Sequence, residues 1–117
     1  TERRSQSQNR ARAIFRLRVK LAVEVRSTTH HERHRSSELW QSRRQGRSLS
    51  VNPMHRDFPA LLAEALDVVV ARRYDVAGAA GVLGISMSQL AKLMRHNKKA
   101  FAMVNRGREA QGLPRLK

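Results

Sequence analysis

Positive charge is concentrated at the two ends of this 117-residue chain, and that distribution limits where a core can form. Residues 1–47 contain 13 Lys and Arg against 4 acidic residues, and residues 86–117 contain 8 against 1. Residues 48–85 are almost neutral, with 3 basic and 4 acidic side chains. Because like charges repel in a compact chain, the formal net charge of +15 predicts a polyanionic partner, most simply a nucleic acid.

The composition excludes several classes of protein. The chain has no cysteine, so it has no disulfide scaffold, thiol nucleophile or Cys-type zinc site. Its longest uncharged apolar stretch, residues 76–85, is about half the ~18–20 residues that cross a membrane. Thr1 is followed by charge and not by a signal peptide, so we expect a cytoplasmic protein with no membrane partner.

Residues 7–26 are predicted to form a helix because they lack Gly and Pro and are rich in Ala, Leu and Arg. Arg12, Arg16 and Lys20 share one face of this helix, and only Glu24 on the helix could pair with them. That face is either solvated or, given so little acid, in contact with phosphate. The apolar residues, interrupted by Arg18, recur at three- and four-residue spacing and predict one buried face: Ala11, Ile14, Phe15, Leu21, Ala22 and Val25.

Residues 27–52 are interpreted as a linker because they are rich in Ser, Arg and His and show no sustained period. Leu39 and Trp40 are expected to anchor this linker on an apolar surface, with base stacking by Trp40 as the alternative. Three histidines lie near Glu32 without the spacing of a known ligand set, so we expect no metal site and no cofactor: His30, His31 and His34.

Residues 53–117 are predicted to form a small helical bundle. The predicted fold class of the whole chain is therefore all-α: a long basic helix over residues 1–26, a linker, and then the bundle. Asp57 is a candidate N-cap, with Pro59 in the first turn of a helix that runs to about Arg73. Asp75 and Ser86 are predicted to cap the next two helices. These helices are expected at 76–83 and 87–96, and a last one at 99–111.

Residues 75–94 contain the most specific local pattern of the bundle. Ala80, Gly84 and Leu90 follow the spacing A-x3-G-x5-[apolar], in which a small residue lets two helices approach and Gly84 takes a left-handed turn. This pattern resembles the helix-turn-helix of DNA-binding proteins, whose second helix enters a major groove, where Gln reads adenine and Arg reads guanine. A unit of this kind also docks on protein or RNA. Its candidate nucleic-acid face is Ser86, Ser88, Gln89, Lys92, Arg95, Lys98 and Lys99.

Residues 4–13, RSQSQNRARA, resemble the R-S-Q-x-x-N-[KR]-x-x-A stretch of class I peptide chain release factors and their ribosome-rescue relatives. In that family the stretch follows the last strand of the catalytic domain and opens a long basic helix. Trp40, residues 53–59 and the helix-turn-helix are similar to an extension of some bacterial release-factor-like proteins. The resemblance and the adjoining basic face imply contact with ribosomal RNA or tRNA by Arg3, Arg4, Gln6, Asn9, Arg10, Arg12, Arg16 and Lys20.

The Gly-Gly-Gln motif with which that family promotes peptidyl-tRNA hydrolysis is absent from this sequence. Because the motif lies upstream in the family, we expect the chain to be the C-terminal portion of a release-factor-like protein that binds RNA without catalysis. The alternative is a helix-turn-helix transcriptional regulator built on residues 58–117. A third interpretation, an enzyme in its own right, has little support, because the sequence shows no nucleophile–base pair or metal cluster with usable spacing. Asp57, Glu64 and Asp67 are expected to be caps or solvated helix residues.

Overall fold

The computed structural model describes residues 2–27 and 35–117, and the all-α fold predicted from the sequence is confirmed. The three histidines considered as metal ligands, His30, His31 and His34, lie outside the described residues. The described part contains six helices and one short hairpin: α1 (Glu2–Glu24), α2 (Glu38–Arg43), β1 (Arg44–Gln45), β2 (Ser48–Leu49), α3 (Phe58–Ala71), α4 (Val76–Leu83), α5 (Met87–Arg95) and α6 (Lys98–Ala110).

Helix α3 is the centre of the core and packs against α1, α4, α5 and α6. Pro59 lies in its first turn, as predicted. N–H groups in the first turn have no acceptor within the helix, so the missing N–H of proline costs no helical hydrogen bond. The helix is apolar on most sides, and its buried residues are Phe58, Pro59, Leu61, Leu62, Ala65, Leu66, Val68 and Val69.

The predicted buried face of α1 is wrong in part. Ile14, Leu21 and Val25 are 45%, 48% and 57% exposed. The face that is covered includes Val19 and Val23, which the prediction omitted, beside Phe15, Ala22 and Arg26. Two apolar strips with helical spacing lie side by side on α1, and α3 covers one of them. Periodicity alone does not show which strip has a partner.

Part of the segment interpreted as a linker has regular structure. The Ser37 side chain caps α2 by accepting a hydrogen bond from the Trp40 backbone N–H at 3.0 Å. The antiparallel β1–β2 hairpin follows directly, with Gln45 opposite Ser48. Trp40 is fully buried, and its Nε1 donates to the Leu83 carbonyl at 2.9 Å. The prediction that Trp40 anchors this segment is confirmed, and burial leaves no ring face for a stacked base.

The caps around α4 and α5 are those that the sequence predicts. Asp75 Oδ1 accepts from the Gly78 N–H at 3.0 Å, and Ser86 Oγ accepts from the Gln89 N–H at 3.2 Å. Gly84 ends α4 with φ 74°, the left-handed conformation expected of it. Asp57 occupies the N-cap position of α3, as predicted, but its side chain does not cap the helix. Its backbone is helical, not extended, and its side chain makes no cap hydrogen bond but accepts from Arg43 Nη2 at 2.8 Å.

The segment after α6 is held against the bundle by two buried polar side chains of that helix. Asn105 Oδ1 accepts from the Leu116 N–H at 2.7 Å. Arg108 donates to the carbonyls of Tyr74 and Pro114, both at 2.8 Å. Among the described residues no single helix is long and apolar enough to span a membrane, and the α4–α5 pair reaches that length only across a 101° bend.

Candidate nucleic-acid interface

The first half of α1 extends from the body of the protein as a basic arm, which we define as residues 3–14. Every residue in that range is exposed, and Phe15 is the first that packs on the core. At 1.5 Å per residue, these 12 residues form a rod of roughly 18 Å. The arm carries six of the eight residues predicted to bind RNA: Arg3, Arg4, Gln6, Asn9, Arg10 and Arg12.

The other two predicted RNA-binding residues, Arg16 and Lys20, lie where α1 passes the start of α6. There they line a cavity of about 400 Å³ together with Lys98 and Lys99. A second cavity, of about 430 Å³, shares Lys98 and Lys99 and extends along α6 to Arg106. The two cavities therefore form one continuous surface, which we call the basic groove. The fold brings together basic residues from opposite ends of the sequence.

The basic groove has a strongly positive charge. Its lining includes five basic side chains, those of Arg16, Lys20, Lys98, Lys99 and Arg106, and Glu24 is the only acid among the residues that line it. All five are exposed. Exposed Lys and Arg side chains are groups that hydrogen-bond to the phosphate oxygens of a nucleic acid. Arg106 was not predicted from the sequence, because only the tertiary structure places this part of α6 on the same groove as α1.

Helices α4 and α5, joined by the turn 84–86, bend by 101°. This lies within the ~90–120° range of helix-turn-helix units. Ser88 and Lys92 are exposed on α5 one helical turn apart, and Arg95 follows three residues later. The spacing places all three on one side of the helix.

The two residues predicted to read bases, Gln89 and Arg95, already have partners inside the chain. Gln89 is half-buried, and its Oε1 accepts from the Leu49 N–H at 3.3 Å. Arg95 Nη1 donates to the Lys117 carbonyl at 2.7 Å, and its guanidinium carbon lies 5.9 Å from the Phe101 ring centroid. Because bidentate base recognition uses two atoms of one side chain, these contacts weaken the case for sequence reading. Four residues of the predicted face remain well placed for phosphate: Ser88, Lys92, Lys98 and Lys99.

The hairpin adds two basic residues that the sequence interpretation did not include, Arg44 and Arg47. Both are exposed, and the Arg47 carbonyl accepts from the Ser86 N–H at 2.9 Å. This hydrogen bond fixes the hairpin beside the start of α5. Gly46, with φ 59°, occupies the first position of the two-residue loop, where hairpins favour glycine. A glycine followed by one residue, between two short strands, is therefore the sequence signal from which this hairpin could have been predicted.

Two further observations concern the ionisable groups of the described residues. Within residues 2–27 and 35–117, no group of three His, Asp or Glu side chains could hold a metal ion. Burial lowers the pKa of Arg26, and the nearby charge of Asp67 acts in the opposite direction. Since Arg26 pairs with Asp67 at 3.1 Å where α1 meets α3, this pair has a structural explanation.

Comparison with known proteins gives no match: no family model, no curated protein and no solved structure corresponds to this chain. The fold and the surface therefore define its class, which is an all-α protein with an extended basic arm and a basic groove. Functional interpretation rests on the chemistry of these two features.

Proposed function

We propose that this chain is the RNA-binding C-terminal part of a release-factor-like protein, which docks on ribosomal RNA or tRNA in translation termination or ribosome rescue. One observation carries the proposal: Arg16 and Lys20 of α1 line the same groove as Lys98 and Lys99 of α6. The R-S-Q-x-x-N stretch lies on the exposed arm of the same helix. The arm and the groove would then contact one polyanion together.

RNA binding fits this surface better than sequence-specific recognition of DNA does. A-form RNA is bound largely through its phosphates, hydroxyls and shape, which exposed Lys and Arg can contact without reading bases. Gln89 and Arg95, the side chains best suited to reading base edges, are engaged within the chain. Because the sequence lacks Gly-Gly-Gln, the proposed role is RNA binding without hydrolysis of peptidyl-tRNA. The proposed location is the cytoplasm, and the proposed role needs no cofactor.

The salt dependence of RNA binding tests the groove directly. We expect Lys98→Ala/Lys99→Ala to weaken binding to a fluorescein-labelled structured RNA, measured by anisotropy over a range of salt concentrations. The slope of log K against log salt is negative, and each lost phosphate contact reduces its magnitude by about 0.7–0.9, so the pair should reduce it by about 1.4–1.8. The matched control is Arg115→Ala/Lys117→Ala, which removes the same charge from the exposed C-terminal residues. Equal slopes for the two double variants would contradict the proposal.

A second function, a DNA-binding transcriptional regulator, is favoured by the 101° bend at Gly84 and by exposed Ser88 and Lys92. Selection from a pool of random duplexes separates the two functions. Enrichment of one duplex sequence, lost in Gln89→Ala, would support the regulator. Equal binding to all duplexes, with tighter binding to purified ribosomes, would support the RNA-binding proposal.

A further inference from the structure

An apolar strip on α1 is exposed on the side that α3 does not cover. Ile14, Leu17, Leu21 and Val25 are 45%, 55%, 48% and 57% exposed and follow one another at spacings of three, four and four residues. Val25 comes directly after the last helical residue, and its N–H still donates to the Leu21 carbonyl at 2.9 Å. This spacing is that of one helix face made for contact with another helix. Phosphate binding does not require it.

The strip borders an apolar groove of about 430 Å³ between α1 and α3. Leu21, Ala22 and Val25 line one side of this apolar groove, and Ala60 and Ala63 lie on the other. Two alanines one turn apart leave room for the side chains of an incoming element. A concave apolar surface between two helices is the form that accepts an amphipathic helix.

The charged residues around the apolar groove favour an acidic occupant. Arg18 and Arg56 line it, and both are exposed. Its one acid, Asp67, is paired with Arg26 at 3.1 Å and accepts from the Ser27 N–H at 3.1 Å. The unneutralised charge presented to an occupant is therefore positive.

We propose that the apolar groove binds an acidic amphipathic helix of a protein partner. Apolar side chains at i, i+3 or i+4, and i+7 of that helix would pack on Leu21, Val25 and Ala63, and its acidic residues would face Arg18 and Arg56. A second copy of this chain is disfavoured, because each copy carries +15 and the strip is flanked by arginine. The inference goes beyond RNA binding, since the apolar groove lies on the face of α1 next to α3, away from α6.

A synthetic peptide supplies the probe. It has about 15 residues, with Leu at i, i+3, i+4, i+7 and i+11 and Glu at most other positions, and a scrambled peptide of the same composition is its control. Both are titrated into the ¹⁵N-labelled full chain. We expect the amphipathic peptide to shift amide resonances of α1 and α3, and to bind at least tenfold more tightly than the scrambled peptide.

Leu21→Gln tests the contact in the chain itself. Because Leu21 is half exposed, the fold should survive, as the amide spectrum will show, while affinity for the amphipathic peptide falls about tenfold, equivalent to ~1.4 kcal/mol. Met54→Gln, at an apolar residue that is 79% exposed elsewhere, is the matched control and should bind as the parent chain does.

Three results would overturn the proposal. The first is equal binding of the amphipathic and scrambled peptides, which would reduce the interaction to net charge. The second is a dimer in sedimentation velocity that Leu21→Gln dissociates, which would assign the groove to a second copy. The third is binding of phosphatidylglycerol vesicles that Leu21→Gln abolishes, which would assign the strip to a lipid surface.

Discussion

Replacement of Trp40 by Phe tests whether the segment before α3 belongs to the folded core. Trp40 is the only tryptophan in the chain and is fully buried. Its Nε1 donates to the carbonyl of Leu83, the last residue of α4, and that carbonyl has no donor within its own helix. The substitution keeps an aromatic ring but removes the N–H and part of the volume.

The expected loss has two contributions. A buried carbonyl left without its donor destabilises the fold by about 1–3 kcal/mol. The smaller ring leaves roughly 40 Å³ unfilled, which at about 24 cal/mol per Å³ adds roughly 1 kcal/mol. Together they predict a decrease of about 2–4 kcal/mol in the free energy of unfolding, a large share of the ~5–15 kcal/mol typical of a domain.

Urea denaturation followed by circular dichroism at 222 nm measures the change, because the variant has no tryptophan to report by fluorescence. Incorporation of 3-benzothienylalanine at position 40 is the matched control, since it keeps the bicyclic shape and lacks the N–H. It should recover the cavity contribution and not the hydrogen-bond contribution. A decrease below about 0.5 kcal/mol for Trp40→Phe would show that α2 and the hairpin are not integral to the core.

Four other substitutions, one of them a control, test the packing around α4 and α6 and the attachment of α1. Gly84→Ala should destabilise the fold by about 1–2 kcal/mol in a urea titration, because φ is 74° and the new Cβ would lie 3.3 Å from Arg44 Cδ. The control is Gly81→Ala, where a Cβ meets no atom within 4 Å. In the same titration it should be neutral or stabilising by up to ~1 kcal/mol. Gly107→Ala places a Cβ against the Tyr74 ring and should lower the urea midpoint by the equivalent of about 1–3 kcal/mol; an unchanged midpoint would show that the ring moves aside readily. Asp67→Asn removes the ion pair with the partly buried Arg26 and should cost about 1 kcal/mol in thermal unfolding. A gain in stability would refute the role of this pair in fixing α1 to α3.

Features decided by a few neighbouring residues were predicted well from the sequence. The caps at Asp75 and Ser86 and the left-handed turn at Gly84 depend on side chains within three residues of the backbone groups that they satisfy. Asp57 had the same local pattern, but its carboxylate is engaged by Arg43, 14 residues away. A contact at that distance along the chain is not visible in the local sequence.

The candidate site needed the tertiary structure. Sequence periodicity identified α1 as amphipathic but could not choose between its two apolar strips, because that choice depends on the surface of α3. The hairpin is two residues long on each strand, and its position depends on the hydrogen bond from Ser86 to Arg47. Lys20 and Lys98 line the same groove only because the tertiary structure places α1 near the start of α6.

The arm of α1 displaces positive charge away from the mass of the protein. The radius of gyration is 15.1 Å, against roughly 13.4 Å for a compact domain of this length, and the longest dimension is 52 Å. Arg3, Arg4, Arg10 and Arg12 lie on the projecting part, so their charge is carried beyond the packed helices. The field of a polyanion acts on this outlying charge and exerts a torque on the protein before contact. The molecule would therefore approach arm first, already oriented when the rest of its surface arrives.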